Sequence, residues 1–476
     1  MAADSPLSLS LAPVLTPCPD DAPLPYDGRA CATSTLPLRI VLVRHGLSSF
    51  NLEHRIQGRD DLSNLTEEGQ LQARRTGEAL AELAFNAVYC SPLQRASATA
   101  AALLASHGTP LSPLYDDDLL EIDLAPWSGL LRSEVRALDP EQERRWREAP
   151  ETMELQRSDG SRFLPVPELL EQAGHFADRL LARHGDDATV LVVAHNAILR
   201  CLVLHLLGLP ASRFQRLRLD NASISVLNLV HGEGRCPSVQ IESLNGTSHL
   251  GAPLPPAAAG CRLLLVRHGE TDWNREGRFQ GQIDIPLNPH GLAQAEAARS
   301  FLAPIALQRA YSSDMARPLR TAEVILSSHP GVPLTTSRGL REIGHGLWEG
   351  RLESEIAAGW PDLLAAWKRS PETVQMPEGE TIGEVWDRSL TAWNRIAAGL
   401  GPEETALVVA HDAVNKTILC ALLGLCPADI WTVKQGNGGV TVIDYPRGAT
   451  AAPVVTALNL TAHLGSVIDR TAAGAL

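Results

Sequence analysis

No apolar run in this chain reaches the ~18 residues that crossing a bilayer requires, although the chain is 476 residues long. There is no Walker loop and no dinucleotide glycine fingerprint, so the two common glycine-rich phosphate cradles are excluded. The eight cysteines are scattered, without a Cys-x-x-Cys pair or metal-type spacing. That pattern predicts buried free thiols in a reducing compartment and no disulfide. No two histidines stand at helical i, i+4 spacing with a carboxylate partner, so neither a metal nor another cofactor is expected. Net positive charge is lacking too. A formal charge of −14 argues against nucleic acid and against anionic membrane surfaces as partners. Any anionic substrate has to be held by local arginines.

Basic residues are scarcest at the start. The first 36 residues carry Arg29 alone against Asp4, Asp20, Asp21 and Asp27, and Pro13, Pro17 and Pro19 interrupt their apolar stretch. A secretory signal needs an unbroken apolar segment, and a transit peptide is arginine-rich and acid-poor. Residues 1–36 therefore read as a disordered extension, and the protein as cytoplasmic. The remainder has ordinary globular composition, 44% hydrophobic and 20% charged, and is long enough for two cores. Gly251 to Gly260, rich in Pro, Gly and Ala, suits a semi-rigid linker. The expected units are 37–250, a linker at 251–260, a second unit at 261–465 and a tail at 466–476.

What the sequence does contain, it contains twice. Leu42-Val43-Arg44-His45-Gly46, followed by Asn51, recurs as Leu265-Val266-Arg267-His268-Gly269, followed by Asn274, 223 residues from His45 to His268. An apolar run ending in Arg-His-Gly reads as a buried strand that delivers a guanidinium and an imidazole to its carboxyl end, where open α/β sheets bind ligands. Each copy continues to a helix start, with Thr66 and Asn288 as N-caps and Pro289 in the first turn. A second strand follows, ending at Ser91 and at Ser313, with Arg95 and Thr99 or Arg317 and Thr321 beyond it. Next come Glu121-Ile122 with Trp127, and Glu342-Ile343 with Trp348. Finally, Thr189 to His195 matches Thr405 to His411, β-branched runs that stop at histidine. Strands alternating with helices imply an α/β fold with a largely parallel sheet in each half.

Residue types narrow the chemistry. The planar fork of arginine matches phosphoryl oxygens, and each half offers two such arginines. An imidazole between guanidinium groups is biased toward its neutral, nucleophilic form. A leaving alkoxide needs a proton, and Glu121 and Glu342 are the acids placed to give it. His195 and His411 can complete a clamp on the phosphoryl charge.

Arg-His-Gly, the Ser…Arg…Thr-Ala motif, Glu-Ile…Trp-x-Gly and Val-Val-Ala-His together resemble the histidine phosphatase superfamily, with its phosphoglycerate mutase-like fold, twice over from about Leu38 to Leu464. The resemblance implies a metal-independent, two-step reaction through phosphohistidine on a small phosphorylated metabolite. It makes His45 and His268 nucleophiles and Glu121 and Glu342 proton donors. Arg44, Asn51, Arg95 and His195 would form one phosphate pocket, and Arg267, Asn274, Arg317 and His411 the other. Glu342-Ile343-Gly344-His345-Gly346, with Pro377 to Thr381, resembles small-molecule phosphatases more than mutases, whose corresponding segment is of Glu-Arg-His-Tyr-Gly type. Val408 to Lys416 departs from the usual Ser-His-Gly form. With the tandem arrangement, it resembles proteins described as 2-carboxyarabinitol-1-phosphatase-like or as metal-independent phosphoserine phosphatases. Mutase chemistry and a non-catalytic phospholigand sensor stay open as alternatives.

The first half departs from the second, with Leu47 at the place of Glu270 and Phe163 to Pro167 near the place of Pro377 to Thr381. Three readings follow for it: a site of different specificity, a weak site, or a half kept for packing. Arg144, Arg145, Lys368 and Arg369, in the regions expected to set specificity, are read as solvated surface cations. Trp127, Trp348 and His345 are read as structural. Nothing in the residues fixes an oligomeric state or the physiological substrate.

Overall fold

The structure is a computed structural model that describes residues 37–471 except 233 and 234; the extension expected over 1–36 lies outside the described residues. In chain order the first half supplies β1 (Leu38–Arg44), β2 (Ala87–Cys90), β3 (Leu114–Tyr115), a small hairpin of β4 (Leu155–Gln156) and β5 (Arg162–Phe163), β6 (Thr189–Ala194), β7 (Ile224–Gly232) and β8 (Arg235–Gly246). The second supplies β9 (Cys261–Arg267), β10 (Arg309–Ser313), β11 (Leu334–Ser337), β12 (Thr405–Ala410), β13 (Val440–Tyr445) and β14 (Val454–Leu460).

Leu, Ile and Val occupy both faces of β1, which suits a strand covered on both sides. It lies between parallel β6 and antiparallel β7, and β9 repeats the arrangement between β12 and β13. The outer strands β3-β2-β6-β1 and β9-β12-β10-β11 are parallel within each set, while β7, β8, β14 and β13 run antiparallel to their neighbours. Edge strands present unpaired backbone groups. Here β8 of one half meets β14 of the other, so the halves share one sheet of twelve strands rather than holding two separate ones.

That junction lies on a pseudo-twofold axis. Leu244 pairs with its own counterpart Leu458. Asn245 donates to Thr456 O (2.7 Å), and Asn459 reciprocally donates to Glu242 O (2.9 Å). Both asparagines have positive φ, 55° and 50°, which Asn tolerates better than most residues. On one face of the sheet a single apolar cluster runs through both halves, including Phe176 and Leu202 with Trp393 and Ile418. The opposite face carries one cluster per half.

Helices follow their sequence signals. Thr66 accepts from Gly69 N at 3.0 Å and Asn288 from Gly291 N at 2.8 Å, starting Glu67–Ala79 and Pro289–Leu302. Gly46 and Gly269 are required where the loop after the strand crosses the helix start. A Cβ there would stand 2.4 Å from Gly69 O or 2.3 Å from Gly291 O. Among the described residues no helix is long and apolar enough to cross a membrane.

One expectation needs revision. Cys426 is disulfide-bonded, which corrects the expectation of no disulfide. Cys90, Cys201, Cys261 and Cys420 are free and buried. The segment expected as a tail is packed in its described part: Ile468 enters the core of the first half, and Arg470 pairs with Glu82 at 2.7 Å.

Candidate active site

The carboxyl ends of β1, β2 and β6 deliver His45, Ser91 and His195 to one place. The His45 ring places Nδ1 2.8 Å from Gly46 O. A carbonyl only accepts, so this contact assigns the proton to Nδ1 and leaves the lone pair on Nε2. Arg44 donates through Nη1 to Leu219 O at 2.8 Å. Arg95, in the first turn of helix Gln94–His107, is fixed by Asp60 O and Gly58 O, both at 2.8 Å. His195 caps helix Asn196–Leu206, with Nε2 2.7 Å from Ser91 Oγ and its ring centroid 5.2 Å from that of His45. Arg44 Nε, Arg95 Nε and His195 Nδ1 are buried without a protein partner.

The second half repeats this from β9, β10 and β12. His268 Nδ1 lies 2.6 Å from Gly269 O, and Arg317 Nε donates to His268 Nε2 at 3.2 Å. The second bond assigns the lone pair to Nε2 independently. Arg317 is held by Gly281 O (2.8 Å) and Ile283 O (3.1 Å), Arg267 by Gln435 O (2.6 Å). His411 Nε2 lies 3.0 Å from Ser313 Oγ. Arg267 Nε and His411 Nδ1 are again buried without partners. Among the described residues no cluster of three or more His, Cys, Asp or Glu is disposed to hold a metal ion.

The sequence profile of the histidine phosphatase superfamily (branch 1) matches residues 40–242 and again 263–458. The chain belongs to this superfamily. A 2-carboxy-D-arabinitol-1-phosphatase of Triticum aestivum is 31% identical over 450 residues, covering 90% of this chain and 86% of that protein. Phosphoserine phosphatase 1 of Hydrogenobacter thermophilus is 31% identical over 212 residues, 43% of this chain and 94% of its own. Among solved structures, an Entamoeba histolytica phosphoserine phosphatase in complex with 3-phosphoglyceric acid is 28% identical with TM-score 0.37, covering 43% of this chain and 99% of that one.

In this histidine phosphatase the four site imidazoles are held well below the usual histidine range. Burial is the largest cause, and neighbouring cations add to it: Arg44 and Arg95 at His45, Arg317 and Arg267 at His268. Burial likewise leads at His195 and His411, followed by Arg95 and Arg317 respectively. The guanidinium effect expected from sequence is thus real but second to desolvation. Arg44 and Arg317, pushed by burial down to about 10, remain cations at neutral pH. Glu342 is raised, first by burial and then by the Asp412 charge.

Asn51 and Asn274, expected in the phosphate pockets, are anchored through their side-chain oxygens. Asn51 Oδ1 accepts from Ser48 Oγ (2.9 Å) and from Asn221 (3.0 Å), which also donates to His45 O at 3.0 Å. Asn274 is placed likewise by Thr271 (3.2 Å) and Asn437, and Asn437 donates to His268 O at 3.1 Å. Asn221 and Asn437 lie outside the sequence motifs. Their signal is an asparagine at matched positions shortly before β7 and β13. Ser91, Ser313, Thr99 and Thr321 were visible in the motifs without a role; Gly46 N donates to Thr99 Oγ1 (3.0 Å), and Gly269 N to Thr321 Oγ1 (3.1 Å).

Glu270, at the place of Leu47 in the first half, is a buried acceptor for Asn288 (2.9 Å) and Arg275. Arg144, Arg145 and Lys368 form exposed ion pairs with Glu141, Glu148 and Glu353. Trp127 and Trp348 are buried, and His345 packs against Phe279 and Trp367.

Proposed function

We propose that this histidine phosphatase hydrolyses phosphate monoesters of small phosphorylated acids or sugars in two steps, without metal or cofactor. The observation that carries the reading is the repeated set of buried, unpartnered donors, Arg44 Nε, Arg95 Nε and His195 Nδ1 in one half and Arg267 Nε and His411 Nδ1 in the other, gathered around a neutral imidazole. Buried polar groups are ordinarily satisfied, and a phosphoryl group supplies acceptors for all of them. A phosphorylated sugar acid and phosphoserine are the substrates stated by the names of two relatives, which favours hydrolysis of this class. On the same reading the units are 37–250 and 261–465, joined by 251–260, and the protein works in the cytoplasm without nucleic acid or membrane.

In the first step His268 Nε2, or His45 Nε2, forms a bond to phosphorus as the ester P–O bond breaks, and the leaving alkoxide takes a proton from Glu342 or Glu121. In the second, water attacks phosphorus, the N–P bond breaks and the carboxylate recovers a proton from the water. The guanidinium groups hold the phosphoryl oxygens through both steps.

Rapid quenching during turnover of a labelled phosphomonoester tests this: phosphorus should be trapped on His268 or His45, with free phosphate released in the presence of chelator. His268→Ala removes most turnover, and His45→Ala measures the share of the first half. Undiminished catalysis by the double variant sinks the assignment; uncatalysed monoester hydrolysis is up to ~10²¹-fold slower than the enzymatic reaction and cannot imitate it. Transfer of phosphate between carbons of 3-phosphoglycerate, without release, would instead indicate a mutase.

A further inference from the structure

The two carboxyls that follow the same motif are seated differently. Glu121 accepts from Ile122 N (2.9 Å) and from two amides in the opening turn of helix Asn196–Leu206. Those are Ala197 N, 3.1 and 3.2 Å from its two oxygens, and Ile198 N at 3.2 Å. Glu342 accepts from Ile343 N (3.0 Å) and from only the first amide of the matching helix, Asp412 N at 3.1 Å. The residue opening that turn is Asn196 in the first half and Asp412 in the second.

Asp412 is buried. Its Oδ2 lies 2.9 Å from Lys416 Nζ, and its Oδ1 is 3.8 Å from Arg267 Nη1 with no hydrogen bond. Arg200, at the place of Lys416, turns away to Phe214 O and Gln215 Oε1. Glu121 Oε2 carries only a 3.2 Å share of the Ala197 N–H and Glu342 Oε2 only the Asp412 N–H, so the bonds given up on protonation are alike and the adjoining residue sets the difference. Protonation of Glu342 gains relief from the adjacent Asp412 charge, whereas the first half has the uncharged Asn196 at that place. The charged groups acting on Glu342 are Asp412 on one side and Arg317 and Arg267 on the other, and burial together with Asp412 prevails.

We propose that the two centres are unequal as proton donors: Asp412 is a positioning residue that keeps the leaving-group proton on Glu342, and the first centre, with Asn196 at that place, lacks such a residue. The inference rests on the phosphatase reading. It concerns one proton, which passes from the Glu342 carboxyl to the alkoxide oxygen as the P–O bond breaks and the bond from His268 Nε2 to phosphorus forms.

Leaving groups separate the two centres. p-Nitrophenolate departs without a proton, while glycerol departs only with one. In full-length chains carrying His45→Ala (second centre reporting) or His268→Ala (first centre reporting), kcat/KM is measured for p-nitrophenyl phosphate and glycerol phosphate. The glycerol-to-nitrophenyl ratio should be higher at the second centre by about 10²-fold or more, the scale of general-acid catalysis. Asp412→Asn, which installs the residue the first half already carries, should leave the aryl ester nearly unchanged. It should lower the alkyl ester at least tenfold at pH 7.5 and move the basic limb of its pH profile downward. Equal ratios, or an unmoved profile in Asp412→Asn, overturn the proposal. So does a first centre dead to both esters, since the difference would then lie in phosphate binding. Absence of turnover of either ester by the unaltered chain defeats the phosphatase reading instead.

Discussion

At the scale of single residues, burial does more to set the chemistry than any named partner. His345 isolates that effect, because its ring packs against Phe279 and Trp367 and its equivalent in the first half is Leu124. Burial, with Arg317 adding to it, pushes His345 down to about 3, against ~6.5 in an unfolded chain. Below pH 6.5 the unfolded chain therefore binds a proton that the folded chain refuses, so stability falls as pH falls, and the loss stops growing near pH 3. Between pH 5.5 and 4.5 this one group should contribute a slope of ~1.4 kcal/mol per pH unit. His345→Leu should flatten the stability–pH curve by about that amount in chemical denaturation. Parallel curves for the two proteins would show that the imidazole titrates normally.

At the scale of elements, the loop that carries His45 or His268 is fixed by backbone crossing backbone. Gly269 meets Gly291 O, and a Cβ on Gly291 would stand 2.0 Å from Glu270 O. Neither contact is with a flexible side chain. Gly269→Ala should therefore push helix Pro289–Leu302 away from the loop, cost about 1–3 kcal/mol as overpacking does, and misplace His268 enough to lower turnover at the second centre. Gly383→Ala is the control, since its new Cβ would meet only Thr381 Oγ1, at 3.8 Å, and alanine favours a helix. Equal effects of the two substitutions would remove the crossing from the explanation.

This level also marks what the chain made legible. The ends of β1, β6, β9 and β12 could be read directly, because apolar runs stopping at histidine carry their own punctuation. The caps at Thr66 and Asn288 could be read for the same reason. Asn221 and Asn437 could not, because each acts 176 or 169 positions away, on the carbonyl of His45 or His268, and no local pattern encodes that contact. Asp412 stood in plain view as a departure from the usual motif, yet its meaning depends on Lys416, Arg267 and Glu342 converging in space.

At the scale of the whole molecule, two copies have become one body, and the segment Ser466–Thr471 fastens them asymmetrically. In the first half the Asp220 carboxylate accepts from Asn245 Nδ2 at 2.9 Å. The second half has Gly436 at that position, and a Cβ there would stand 2.6 Å from Asp469 Oδ2. Asp469 supplies the missing carboxylate, accepting from Asn459 Nδ2 at 3.1 Å. Its neighbour Thr471 accepts from Asn437 N at 3.2 Å, and Ile468 fills the apolar cluster of the first half. One short segment thus holds the loop behind His268 and seals the core of the first half, where its Arg470 reaches Glu82. Ile468→Ala should cost ~2–5 kcal/mol, as truncation of a buried isoleucine does, with faster hydrogen exchange in the first half around β1 and Leu80. Asp469→Ala should instead act on the second centre, lowering kcat in the His45→Ala chain while leaving exchange around Leu80 nearly unchanged. If Ile468→Ala left exchange in the first half unchanged, or Asp469→Ala left turnover at the second centre unchanged, the segment would be packing without a joining role. If they divide as described, the second centre depends on a carboxylate that its own Arg-His-Gly repeat does not encode.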